Sequence, residues 1–148
     1  MTTPTGGTDH GDPTLVDALA QLSFLIQGAL AEATADHDLS IIQARLLGIL
    51  RDREPTMNEL GAHLTLDKSS ITGLVDRAER RGLVHRAVSA RDRRAIQVRV
   101  TEAGRRLTDQ ISTAFDQRVL AITAPLTDAE RTRLTVLVTR LLGKDRNP

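Results

Sequence analysis

Two runs of this sequence carry side chains suited to holding a polyanion. Lys68, Ser69, Ser70, Thr72, Gly73 and Arg77 fall close together, and Arg91, Asp92, Arg93 and Arg94 follow after the mixed stretch AERRGLVHRAVSA. Hydroxyls both donate and accept hydrogen bonds, whereas lysine and arginine bring donors that are always charged near neutral pH. Such a set binds rather than breaks bonds. No H-E-x-x-H, G-x-S-x-G or G-x-x-x-x-G-K-S/T run is present, and His10, His37, His63 and His85 lack metal-ligand spacing. The absence of Cys excludes disulfides, thiolate metal sites and cysteine redox chemistry. These residues predict no enzyme, no cofactor and no metal.

The charge distribution supports a polyanionic partner more than the net charge of +1 does. Residues 1–66 hold three Arg against nine acids, residues 67–106 eleven Lys and Arg against five acids, and residues 107–148 six against five. Positive charge is therefore concentrated in the middle third, as expected of a phosphate-binding footprint.

Local patterning shows what positions those side chains. Asp67 is placed to cap a helix in which Ile71, Leu74, Val75 and Ala78 form one apolar face, leaving the polar set on the other. Ser69 and Ser70 serve either as base-reading groups or as capping residues of that first turn. Gly82 suits a left-handed helix end. Beyond it, Val84 and Val88, then Ile96, Val98 and Val100, alternate as strands around a loop at Ser89–Arg94. Upstream, Thr56 with Glu59 reads as a capping box for a helix bearing Met57, Leu60 and Leu64, so Thr56–Gly82 predicts a helix-turn-helix with Gly61 at a close-packing point.

This segment resembles the MarR family of winged helix-turn-helix transcriptional regulators. The family pattern Asp-x-Arg-x-x-x-Val-x-Leu-Thr-x-x-Gly is matched by Asp92, Arg94, Val98, Thr101 and Gly104, with Val100 in place of Leu. The preceding DKSSITGLVDRAERRGLV is similar to the family's recognition helix, except that Gly73 stands where many members carry Arg. The resemblance implies a mainly α (α+β) fold, double-stranded DNA as partner, and a homodimer. It implies that Arg94 enters a minor groove with Asp92 orienting it by a salt bridge, that Arg93 is the adjacent alternative, and that Arg91 meets phosphate. It also implies a small amphipathic or weakly acidic ligand. Phe24, Gln27 and His37 are candidates to line its pocket, although His37 equally suits an exposed turn.

The rest of the chain fits that frame. Residues 1–13 lack an apolar period and predict a disordered tail, and 14–148 a single domain. Within it, the winged helix-turn-helix covers about 40–101, and long dimerisation helices cover about 14–35 and 101–145. Leu15, Ala18, Leu19, Leu22, Ile26, Ala29, Leu30 and Ala33 form a stripe too wide for one contact. Ser40 with Gln43, and Thr127 with Glu130, are further capping boxes. Ile42, Leu46, Ile49 and Leu50 are expected inward, with Glu54–Pro55 breaking their helix. Leu107, Ile111, Phe115, Val119 and Ile122, then Leu134, Leu137, Val138, Leu141 and Leu142, give two more stripes for a twofold dimer to bury. No signal peptide and no apolar run of membrane-spanning length are evident, which predicts a cytoplasmic protein. The expected function is a DNA-binding repressor released by a ligand; the alternative is a winged-helix protein-interaction module.

Overall fold

Six helices begin where a short polar side chain can take up unpaired N–H groups of the first turn. The computed structural model describes residues 12–143. Its helices are α1 (Leu15–Ala35), α2 (Ile41–Leu50), α3 (Met57–Leu64), α4 (Lys68–Arg80), α5 (Glu102–Ile122) and α6 (Asp128–Gly143). Thr14, Ser40, Thr56, Asp67, Thr101 and Thr127 each accept from the backbone N–H three residues on, at 2.7–3.3 Å. Gln43, Glu59 and Glu130 return the bond to their caps, so all three expected capping boxes form. Of the expected tail over 1–13, residues 1–11 lie outside the described residues.

The cap carboxylates make a prediction about acid. Glu59, Asp67 and Glu130 are each held below the ordinary carboxylate range, chiefly by the backbone N–H groups of Thr56, Ser70 and Thr127 respectively. A depressed folded pKa contributes stability above the unfolded value and loses it as pH falls through the folded one. Denaturant unfolding should show this contribution intact at neutral pH and declining below ordinary values of 3.8 to 4.5. Asp67→Asn keeps an acceptor at the cap without a titrating group, and should flatten part of that acid slope.

Between α4 and α5 lies the only sheet among the described residues, β1 (Val84–Val88) antiparallel to β2 (Ile96–Val100). The register pairs Val84 with Val100, Arg86 with Val98 and Val88 with Ile96. Gly82, at φ +69°, turns the chain out of α4, and the Leu83 N–H donates to the Ala78 carbonyl at 3.0 Å. The core joins Leu46, Leu47 and Leu50 of α2, Leu60 and Leu64 of α3, Ile71, Leu74, Val75 and Ala78 of α4, and Val84, Val98 and Val100 of the hairpin. Ala33 of α1 and Ile111 of α5 close it from the other side.

Several details depart from the sequence reading. Helix α2 stops at Leu50, before Glu54–Pro55, because that stretch has another task. The Pro55 carbonyl accepts from the Val98 N–H at 2.9 Å, and Thr56 bridges Gln97, so the segment edges β2 where a missing proline N–H costs nothing. Val88 and Ile96 were expected to extend the apolar face inward. They face each other past the end of the core, 59% and 38% exposed. Gly61 does mark a close approach: a Cβ there would sit 3.1 Å from the Leu66 carbonyl oxygen, in the helix-turn-helix turn. Thr65 in that turn adopts φ +54°, an uncommon conformation for a β-branched residue. Finally, α1 is long and apolar enough to cross a membrane by length and composition alone, contrary to the sequence reading. Its Ala29, Ala33 and Thr34 are instead buried in the fold.

Candidate nucleic-acid interface

The apolar side of α4 is wholly committed to the core, which fixes what its other side presents. Lys68, Ser69, Ser70, Thr72 and Arg77 are exposed, and Gly73 lies among them. Their hydroxyls are not equivalent. The Ser69 hydroxyl donates to Asp67 Oδ1 at 3.0 Å, so it serves the cap. Thr72 donates to the Lys68 carbonyl at 2.8 Å, leaving only its acceptor side and methyl for a ligand. Ser70 gives its backbone N–H to Asp67 at 2.7 Å, and its exposed hydroxyl lies near enough to that carboxylate to help hold its pKa down. Arg80, exposed one turn beyond Arg77 on the same side, belongs with this set. Its spacing of seven residues from Gly73 was the available signal.

Two nearby arginines are spent inside the fold. Arg81 donates from both terminal nitrogens, to the Asp38 carbonyl at 2.7 Å and the His37 carbonyl at 2.9 Å, fastening the α1–α2 turn to the end of α4. Arg86 on β1 reaches across to α4, binding Asp76 Oδ1 at 2.6 Å and Glu79 Oε2 at 2.5 Å. Its backbone N–H also donates to Glu79 Oε1 at 3.1 Å. Burial alone would lower the Arg86 pKa, but the hydrogen bonds it donates to Asp76 and Glu79 outweigh it and raise the value above the usual arginine range. The acids of α4 are thereby neutralised and the hairpin is locked to the helix. Neither pairing was foreseen from sequence.

At the hairpin tip, buried Ser89 organises the loop. Its hydroxyl oxygen accepts from the Arg91 and Asp92 N–H groups, and its own N–H donates to the Ala95 carbonyl at 2.9 Å. Asp92 accepts from the Arg94 backbone N–H at 2.9 Å. The expected Asp92–Arg94 ion pair is absent among the described residues: the carboxylate closes a turn and so directs the Arg94 backbone instead of its guanidinium. Arg91, Arg93 and Arg94 are all exposed and form no salt bridge within the described residues. Three free cations thus stand beside a helix face of hydroxyls and cations, the arrangement that fits a major groove and an adjacent strand of phosphates.

The candidate ligand residues do not meet. Phe24 is 70% exposed on α1, and Gln27 donates to Ser23 at 3.0 Å on the same exposed surface. His37 lies past the end of α1, about 20 Å further along at helical rise. A separate apolar cavity of about 150 Å³ opens between α1, α2 and α5, lined among others by Leu30, Leu47, Thr108, Ile111 and Phe115. A wide cleft behind the hairpin mixes Glu59, His63, Arg91, Asp92 and Arg99 and favours neither sign of charge. No metal-binding group of three acidic or histidine side chains occurs among the described residues.

Comparison with known proteins agrees with the geometry. A family model described as the MarR family matches residues 37–95. The repressor NicR from Pseudomonas putida is 30% identical over 144 residues, covering 92% of this chain and 91% of that protein. Among solved structures, CouR from Rhodococcus jostii RHA1 bound to p-coumaroyl-CoA superposes with a TM-score of 0.75 at 25% identity, over 86% of this chain and 91% of that one. The Staphylococcus aureus MepR–DNA complex gives 0.72 at 20% identity, over 90% and 99%. This chain belongs to the MarR family of winged helix-turn-helix transcriptional regulators.

Proposed function

We propose that the chain is a homodimeric, ligand-responsive repressor that binds a pseudo-palindromic operator in double-stranded DNA, acting in the cytoplasm and without enzymatic activity. One observation carries this reading. On the face formed by α4 and the hairpin, the acids Asp76 and Glu79 are paired, while Lys68, Arg77, Arg80, Arg91, Arg93 and Arg94 remain exposed. Helix α4 enters the major groove with Ser70 and Arg77 toward base edges, and the hairpin lays Arg94 in the flanking minor groove.

The remaining surface supplies the dimer. Helix α6 buries none of its residues, and α1 exposes Leu15, Val16, Leu19, Phe24 and Leu25. A second copy covering these faces makes 14–35 and 101–145, of which 144 and 145 lie outside the described residues, dimerisation helices around the 40–101 reading unit, within one domain. Twofold symmetry then places two half-sites about one helical turn apart. A small amphipathic or weakly acidic ligand in the cavity bounded by Leu30, Ile111 and Phe115 would bind one spacing of the reading helices more tightly, and so release DNA. The relatives solved with DNA and with p-coumaroyl-CoA lend support.

Light scattering should return twice the 16.1 kDa chain mass. On an operator selected from random duplexes and on a scrambled duplex, Arg94→Ala should weaken both and reduce the log–log salt slope by about one per half-site. Ser70→Ala should mainly erode discrimination, by about 1–3 kcal/mol. A monomer, or Arg94→Ala binding both duplexes as wild type does, would count against this reading and favour a protein partner.

A further inference from the structure

The middle of the outward face of α4 is Gly73, and beside it the surface is hollow. The hollow measures about 400 Å³; Leu66, Leu74 and Ile42, from the first turn of α2, form its floor, and Ser70 and Arg77 stand on its rim. A Cβ on Gly73 would meet only Arg77 Nη1, at 3.4 Å. The bare backbone therefore leaves room that Arg77 leans over without filling. The Arg77 guanidinium forms no salt bridge among the described residues.

Resting on the DNA-binding reading above, we propose that this hollow is a thymine-reading subsite. The thymine C5-methyl seats on the floor beside Gly73, and the neighbouring O4 accepts a hydrogen bond from Arg77. Of the four bases, thymine alone presents a methyl group next to an acceptor in the major groove. Cytosine offers a donor and no methyl at those places, and guanine two acceptors. Gly73 is thus a specificity residue because of the space it leaves, which a side chain would narrow. The hollow is continuous with the face bearing Ser70 and Arg77, so a helix seated in the groove brings it against a base-pair edge.

The test removes the methyl and nothing else. A duplex enriched from a random pool by the wild-type protein is remade with each dT in one half-site replaced in turn by deoxyuridine. At one position, wild type should bind the uracil duplex about fourfold more weakly, the worth of one buried methyl. Gly73→Ala, which alanine's helix preference should keep folded and whose melting temperature checks this, should bind the thymine and uracil duplexes alike at that position. Ile42→Ala removes part of the floor from a different helix and should lower the same ratio. The subsite is overturned if no replacement weakens wild-type binding, or if both variants retain the wild-type thymine-over-uracil ratio. A pool from which no duplex is enriched would instead refute the DNA-binding reading itself.

Discussion

Gly104→Ala should destabilise the protein by about 3 kcal/mol or more, the upper range for forcing atoms into a packed site. Gly104 is in the first turn of α5, pressed against the turn that ends α4. A Cβ there would sit 2.1 Å from the Leu83 carbonyl oxygen, 2.7 Å from Val100 Cγ2 and 3.0 Å from the Leu83 carbonyl carbon. Two of those neighbours are backbone and cannot swing away. The same turn is gripped by Thr101, whose N–H donates to Leu83 O at 3.0 Å and whose hydroxyl donates to Gly82 O at 2.6 Å. Relief of the clash therefore requires sliding α5 away from the α4 turn and loosening both bonds. For a chain of this size a loss of that order lowers Tm by roughly 10 °C. Thermal unfolding at fixed chain concentration measures it, and a loss below about 1 kcal/mol would show that the junction yields more easily than its contacts indicate. Because this junction connects the reading unit to α5, residual folded Gly104→Ala should also bind DNA less well than its folded fraction predicts.

The junction also shows where sequence was informative. Thr101 and Gly104 were visible as parts of a spaced pattern, and the hydroxyl cap at Thr101 was legible from local chemistry; the contact with Leu83 that forbids a Cβ was not. The capping boxes at Ser40, Thr56 and Thr127 were legible for the same reason, since donor and acceptor lie three residues apart. The wing was legible in the alternation of Val84, Val88, Ile96, Val98 and Val100. How far that alternation stays buried depends on where the core ends, which left Val88 and Ile96 in solvent. Arg81 and its acceptors, the carbonyls of His37 and Asp38, are 44 and 43 residues apart, and no residue type marks a backbone carbonyl as an acceptor. For the ligand residues, the family resemblance suggested a pocket near the α1–α2 turn, and helical rise sets Phe24 and Gln27 well apart from His37 within one chain. The hairpin cations were singled out by type and are exposed; Asp92, expected to pair with the Arg94 guanidinium, accepts from the Arg94 N–H instead, because a carboxylate two residues before an arginine can reach its N–H more readily than its guanidinium.

Arg86→Ala should produce the largest loss of DNA binding among substitutions that, on this reading, touch no DNA. Arg86 binds Asp76 and Glu79 from the neighbouring strand and, among the described residues, is the one group that neutralises acids on the reading helix. Its side chain is 27% exposed, whereas Asp76 and Glu79 are 46% and 39% exposed, so solvent screens the pair and the stability cost should be modest, about 1–2 kcal/mol. The effect on DNA is of a different kind. Loss of the guanidinium removes one positive charge and leaves two carboxylates facing phosphates, each worth about 1 kcal/mol of repulsion at close range even in water. It also frees the hairpin that carries Arg94. Together these should weaken operator binding by at least about tenfold at low salt, and less at high salt, where screening hides the carboxylates. The two contributions separate on adding Asp76→Asn and Glu79→Gln to the Arg86→Ala chain. Neutralising the acids should recover most of the affinity at low salt while recovering little stability, since no partner is restored. If affinity and stability instead fall and recover together, Arg86 acts only by holding the fold, and the acids of α4 do not oppose the bound strand.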